Sequence, residues 1–160
     1  MTAIVRRAEP GDAEAIIALI DALSAFVESP PTRLTADDIR RDGFGPDAWF
    51  QCFIAEQDCR PVGYAICYFG FSTDHGGRGL HLADLYVDPG QRGSGLGRAL
   101  MAAVARHGET RSALWLVWDV WVENHTAEAF YAALGARRYD DVFEMTLKGD
   151  ALAALAREGR

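Results

Sequence analysis

The segment Arg92-Gly93-Ser94-Gly95-Leu96-Gly97 has the residue types and spacing of an anion cradle. It lies between a strand-like stretch, Leu80 to Val87, and a helical one from about Arg98 to His107. At such a junction loop amides and the N–H groups of a helix start converge, and a pyrophosphate is the ligand that suits them. Glycine permits positive φ and lets a ligand approach the main chain with no β-carbon in the way. Arg92 and Arg98 add positive charge. Two familiar phosphate loops do not fit. A Walker loop ends in Gly-Lys-Ser/Thr, whereas Gly97 precedes Arg98 and Ala99, and a dinucleotide fingerprint needs a third glycine where Arg98 or Leu100 stands. The remaining alternative is a plain turn leading into a helix.

Asp84 and Glu123 fall near the ends of strand-like stretches, where a carboxylate can accept a proton or attract a cation; each can equally be a solvated or capping side chain. His75, His81, His107 and His125 have no metal-ligand spacing. Cys52, Cys59 and Cys67 match neither a disulfide framework nor a zinc site, so free thiols and no metal are expected. Trp115, Trp118 and Trp121 recur every third residue, but their neighbours read as strand. Trp115 and Trp121 then share a face, and Trp121 is the one expected to reach a site.

These groups need a scaffold. Ala3 to Arg7 reads as a short strand, and Asp12 can cap a first helix whose apolar positions Ile16, Ile17, Leu19, Ile20, Leu23, Phe26 and Val27 recur at three- and four-residue steps. Thr35 and Asp38 form a capping box for a second helix, with Leu34 expected to pack on Ile39 and glycines at 43 and 45 to end it. Residues 49 to 56 and 61 to 71 read as a hairpin. Residues 113 to 122 form a further predicted strand. Asn124 or Thr126 caps a helix with core positions Ala129, Phe130, Ala133 and Leu134, closed by Gly135. A strand from Val142 to Leu147 and an alanine-rich helix finish the chain. No internal repeat or linker interrupts it, so all 160 residues are read as one mixed α/β domain.

A net charge of -7 argues against a nucleic-acid partner and accords with a cationic substrate. The start has no apolar signal region and no apolar run reaches the ~20 residues of a membrane helix, so a cytoplasmic protein with no membrane partner is expected.

Leu82-Ala83-Asp84-Leu85-Tyr86-Val87, followed by the glycine loop, resembles the coenzyme A motif of the GCN5-related N-acetyltransferase (GNAT) family. Asn124, with Tyr131 seven residues later and the ending Phe130-Tyr131-Ala132-Ala133-Leu134-Gly135-Ala136, is similar to a second motif of that family. Leu34 to Ile39, Asp42 to Gly45 and Tyr64 to Phe69 narrow the resemblance to the spermidine/spermine (diamine) and thialysine N-acetyltransferase branch. The resemblance covers nearly the whole chain. It implies a GNAT fold, α/β with a central mixed sheet splayed in the middle and flanked by helices. It also implies acetyl-CoA in the splay, a primary amine of a small molecule as acceptor, and a homodimer. The implied coenzyme contacts are Leu85, Tyr86, Val87, Arg92, Gly93, Ser94, Gly95, Leu96, Gly97, Arg98, Asn124 and Ala127. Asp84, Glu28, Trp121 and Glu123 are the implied acceptor contacts. Polyamine enzymes of the branch carry adjacent acidic residues just before the coenzyme strand turns; here Ala83 precedes Asp84, so a long polycation loses an ion pair.

An amine with a lysine-like pKa of about 10.4 must lose a proton before it attacks a thioester, which calls for Asp84, Glu123 or a water relay. Tyr131, protonated at neutral pH, is the expected acid for the departing thiolate; Phe130 and Leu134 mark the core face of its helix and leave it turned aside. A main-chain N–H of Leu85 to Val87, freed by a bulge or splay, would polarise the carbonyl. Transfer is direct, with no nucleophilic cysteine. Two alternatives keep parts of this pattern: a non-catalytic acyl-CoA sensor, and an enzyme acting on a protein amino terminus or an aminoglycoside.

Overall fold

The computed structural model describes residues 3–158. Two compact units divide the chain, one running to Trp121 and the other from Val122 onward.

The first unit is a five-stranded sheet in the order β1 (Ala3–Arg7), β2 (Gln51–Gln57), β3 (Arg60–Ser72), β4 (Gly77–Val87), β5 (Leu116–Val117). The first four are antiparallel neighbours and β5 runs parallel to β4, so the sheet is mixed. Both faces are buried because helices cover both. Cys52, Ile54, Tyr64, Ile66 and Tyr86 pack on α1 (Ala13–Phe26) and α2 (Ala36–Gly43) through Ala13, Ile16, Leu19, Ile20 and Ile39. α3 (Leu96–Glu109) covers the opposite face with Leu100, Met101, Ala103 and Val104. There Leu80 abuts Gly108, and His107 lies against the rings of Phe53 and Phe69.

Local chemistry sets the boundaries. Thr35 Oγ1 accepts from Asp38 N while Thr35 N donates to the Asp38 carboxylate, the reciprocal box that starts α2. Leu34, expected to pack on Ile39, stays exposed. Asp58 and Cys59, at φ 50 and 63, supply the two left-handed residues of a tight hairpin turn between β2 and β3. Arg6 makes a two-pronged pair with Asp12 at 2.8 Å and reaches Glu56 at 2.5 Å, tying β1 to β2 and to the turn before α1.

The strand expected over 113 to 122 shrinks to Leu116–Val117, because β4 offers partners only at Leu80 and His81. In the second unit, α4 (His125–Ala132) and α5 (Gly149–Leu155) form, but the strand expected from Val142 to Leu147 does not. Its β-branched and aromatic residues have no ladder partner among the described residues, and a strand is stable only when paired. The core expected on α4 is also corrected. Ala129 and Ala133 are exposed, Phe130 and Leu134 are half-buried, and no described residue of this unit is fully buried.

Candidate functional site

β4 changes character at one residue. Cys67 pairs with Leu82 and Ile66 with Asp84, so Ala83 has no residue opposite it on β3 and forms a bulge. Before the bulge β4 is flanked on both sides: Leu80 N–H donates to Trp115 O at 3.0 Å, and Leu80 and His81 pair with β5. Beyond it β3 is the one strand paired with β4 among the described residues. Asp88 N–H donates to Val62 O at 2.8 Å, and the alternation of an antiparallel ladder then turns the main-chain groups of Asp84 and Tyr86 toward β3 and those of Leu85 and Val87 toward the open edge. This is the expected splay, with two of the three expected residues, Leu85 and Val87, presenting amides to it. Tyr86 instead buries its ring on the helix-covered face, 6.4 Å from that of Tyr64.

The open edge leads through a short 3-10 turn, Pro89–Gln91, into the glycine loop. Gly93 and Gly95 have φ of 79 and 88, and a β-carbon at either would meet nothing within 4 Å, so the loop is left-handed where it needs glycine and open where a ligand would lie. Gly95 caps α3, whose first amides, Leu96, Gly97 and Arg98, have no intrahelical acceptor. Ser94 donates its hydroxyl to Gln91 O at 2.6 Å, bracing the turn rather than pointing to a ligand. Arg92 is braced too: its Nε donates to Val87 O at 3.0 Å and its guanidinium lies 4.2 Å from the Phe26 ring centroid. This contact joins the loop to the last turn of α1. Glu28, two residues further on, is exposed at φ 55.

Asp84 lies on the α1–α2 face. Burial pushes its carboxyl above the usual carboxylate range, and the Tyr64 hydroxyl pulls the other way. Ala83, on the bulge, is exposed, so the position that would hold a second carboxylate faces solvent. Cys52 and Cys67 are buried free thiols; burial raises both, Cys67 to about 12, so neither supplies a thiolate at neutral pH. Cys59 is exposed on the hairpin turn. Trp115 donates its indole N–H to Gly77 O at 2.9 Å and stacks edge-on against His81, making it structural. Trp121, outside any strand, is exposed.

Within the second unit, Asn124 Oδ1 accepts from Ala127 N at 3.1 Å and so caps α4. Glu123 is exposed in the preceding turn. Gly135 at φ 93 ends the helix in a Schellman motif, with Ala136 N bonded to Tyr131 O at 3.2 Å and Gly135 N to Ala132 O at 2.9 Å. Tyr131 packs edge-on against Phe130, and burial lifts its hydroxyl to about 12, which keeps it protonated. Among the described residues no group of three or more His, Cys, Asp or Glu could hold a metal ion.

Arg92 as a brace and Tyr64 beside Asp84 were not legible as roles. The bulge was. Apolar residues fall at Leu80, Leu82, Leu85 and Val87, and the three-residue step inside a two-residue period marks the inserted residue.

The first unit is thus a mixed sheet flanked by helices, opened along β4 and leading into a glycine loop at a helix start. The Acetyltransferase (GNAT) family pattern matches residues 17–136, and the chain belongs to this family. Thialysine N-epsilon-acetyltransferase of Bos taurus is 33% identical over 143 residues, covering 84% of each chain. The Sus scrofa enzyme of the same name is 30% identical over 165 residues, covering 96% of each. Among solved structures, an integron cassette protein from the mobile metagenome of V. cholerae superposes with a TM-score of 0.79 at 20% identity, over 98% of this chain and 99% of that one. An aminoglycoside acetyltransferase from an uncultured soil metagenomic sample gives 0.76 at 19% identity, over 91% and 97%. At such identities these two establish the fold alone. The expected GNAT fold and acetyltransferase activity are therefore met.

Proposed function

We propose that this enzyme transfers an acetyl group from acetyl-CoA to the primary amine of a small, lysine-like molecule by direct attack. The observation that carries the reading is the open edge of β4 running straight into the glycine loop. Gly93, Gly95 and the first amides of α3 would hold the pyrophosphate, and Leu85 and Val87 the arm that follows it, with Asn124 and Ala127 adding contacts from α4. Bound acetyl-CoA supplies an activated thioester carbonyl. Asp84 takes the proton from the incoming ammonium, a role favoured over exposed Glu123 by its burial and raised carboxyl. Tyr131 donates the proton to the leaving sulfur, in keeping with a hydroxyl that stays protonated. Glu28 and Trp121 complete the acceptor pocket.

A lysine-like acceptor is supported by the activity for which the thialysine N-epsilon-acetyltransferase relatives are named and by Ala83, which leaves a polycation one carboxylate short. One catalytic domain spanning both units is supported by a family match that crosses the boundary at Trp121. A homodimer is supported by the exposed apolar run Val142, Phe143 and Met145. No described helix is long and apolar enough to cross a membrane, which accords with a cytoplasmic location.

Thiol release from acetyl-CoA over a panel of lysine analogues, diamines, polyamines, aminoglycosides and peptides, with wild type and Tyr131→Phe, tests this. Turnover concentrated on lysine-like amines, and about 100-fold slower in the variant, is the expected result. Tight coenzyme binding with no amine acetylated would overturn it in favour of a sensor. Full activity of the variant would remove Tyr131 as the acid.

A further inference from the structure

Tyr64 is the largest side chain with no solvent exposure among the described residues, and its hydroxyl has no conventional hydrogen-bond partner. A buried polar group left in that state calls for an explanation, because native structures rarely tolerate one. The sheet register supplies it. Tyr64 is opposite Tyr86 and Ile66 opposite Asp84, so Tyr64 and Asp84 are diagonal neighbours on one face, a spacing that an aromatic side chain spans. The helices packed on this face turn apolar side chains to it: Ala13, Ile16, Leu19 and Ile20 from α1 and Ile39 from α2.

We propose that Tyr64 is a positioning residue for Asp84, its hydroxyl held ready to donate to the carboxylate whenever Asp84 has no proton. This rests on the reading of Asp84 as the proton acceptor. In the cycle, free enzyme holds Asp84 as a carboxylate stabilised by the Tyr64 O–H. The substrate ammonium gives one proton to that carboxylate, leaving a neutral amine and a neutral carboxylic acid. The acid then loses its proton to solvent and the Tyr64 contact re-forms. Tyr64 gives up no proton at any point, as expected of a hydroxyl that burial makes still less acidic. The other titratable groups on this face are Cys52 from β2, Tyr86 and stacked His81 from β4, Tyr68 from β3, and the mutually paired Arg6, Asp12 and Glu56 at the β1 side. Arg92 lies beyond the Tyr86 ring and is bonded to Val87 O. Tyr64 is the group among these whose hydroxyl bears on the Asp84 carboxyl.

The test is the pH dependence of kcat/KM at saturating acetyl-CoA for wild type, Asp84→Asn and Tyr64→Phe. With the hydroxyl gone, the carboxylate is harder to form, so the acid limb of Tyr64→Phe should move to higher pH. Activity on that limb should fall about tenfold, as a shift of about one pH unit requires, with the high-pH plateau unchanged. A uniform drop at every pH, or an unmoved limb, overturns the proposal, since a merely structural tyrosine gives one or the other. Asp84→Asn separates the two levels. If the limb survives in that variant, Asp84 is not the acceptor and both readings fall; if the limb vanishes there but does not move in Tyr64→Phe, only the role of Tyr64 falls. Should Tyr64→Phe not fold, the carbon-13 resonance of Tyr64 Cζ in wild type decides. It should titrate with the midpoint of the acid limb, and a resonance flat across that range overturns the proposal.

Discussion

The two halves of β4 share one backbone and do opposite things with it. From Gly77 to Leu82 the strand pairs with β3 and, at Leu80 and His81, also with β5, with the Trp115 ring lying flat on Gly79 and His81 stacked 5.0 Å from Tyr68. From Asp84 to Val87 it keeps β3 as its one ladder partner among the described residues, turns amides to the other edge and holds a half-buried carboxyl beside apolar side chains. Ala83 separates the two. A bulge adds twist and bends its strand, so β4 leaves β5 as soon as the extra residue is passed. The first half spends its hydrogen bonds on stability, and the second leaves them for a ligand.

The sharpest way to separate the halves is through the carboxyl of the second. Asp84→Asn should lower kcat/KM by about 10²–10⁴, the range of a lost general base, while leaving the Kd for acetyl-CoA within about twofold. Steady-state kinetics beside calorimetric titration measures both, and loss of coenzyme affinity instead would make Asp84 part of the coenzyme site. Next in size is deletion of Ala83. Because Leu82 and Asp84 already pair with adjacent residues of β3, removing Ala83 leaves every β3–β4 pair intact. It should let β4–β5 pairing continue past His81 and close the open edge. Acetyl-CoA affinity should fall about 100-fold, near 2.7 kcal/mol, without loss of thermal stability. Unchanged affinity in a folded variant would mean the bulge does not open the site.

In the first half the expected loss is stability. A β-carbon on Gly79 would meet Trp115 ring atoms at 2.0, 2.2 and 2.4 Å, and the indole is held by its bond to Gly77 O. Gly79→Ala should cost about 3 kcal/mol in urea unfolding, the upper range of overpacking, while the acid limb of the folded fraction stays where it was. A limb that moves with Gly79→Ala would show that the halves are coupled.

How much of this was legible depended on whether the signal was local. The capping box at Thr35 and Asp38, the helical period of Ile16, Leu19 and Ile20, and the glycine loop are each encoded within a few residues, and each formed as read. The strands over 113 to 122 and Val142 to Leu147 were read from β-propensity, which records fitness for a sheet and not the presence of a partner. Only Leu116–Val117 found one. Asp84 was legible as a carboxylate near a turn, but its surroundings are set by two helices that lie more than 40 residues earlier in the chain, and no spacing within β4 reports that. Tyr64 was invisible for the same reason, since its meaning lies in the register with β4.

The smallest effect concerns what the second half of β4 costs the fold. Burial raises the Asp84 carboxyl above its value of about 3.9 in an unfolded chain, so between those two values the native state binds more protons than the unfolded one. Stability attributable to this group is therefore greatest below about pH 3.9, falls as pH rises through the folded value, and stays reduced above it. Asp84→Asn, which cannot ionise, should be more stable than wild type at pH 7 by about 0.5–2 kcal/mol, the usual gain when a functional group is traded away. The difference should shrink toward zero as pH falls to about 3.9. Thermal unfolding of both proteins across pH 3.5 to 8 reads this directly. A variant less stable than wild type at pH 7 would mean that the ionised carboxylate is fully paired in the native state, and that the second half of β4 is as well satisfied as the first.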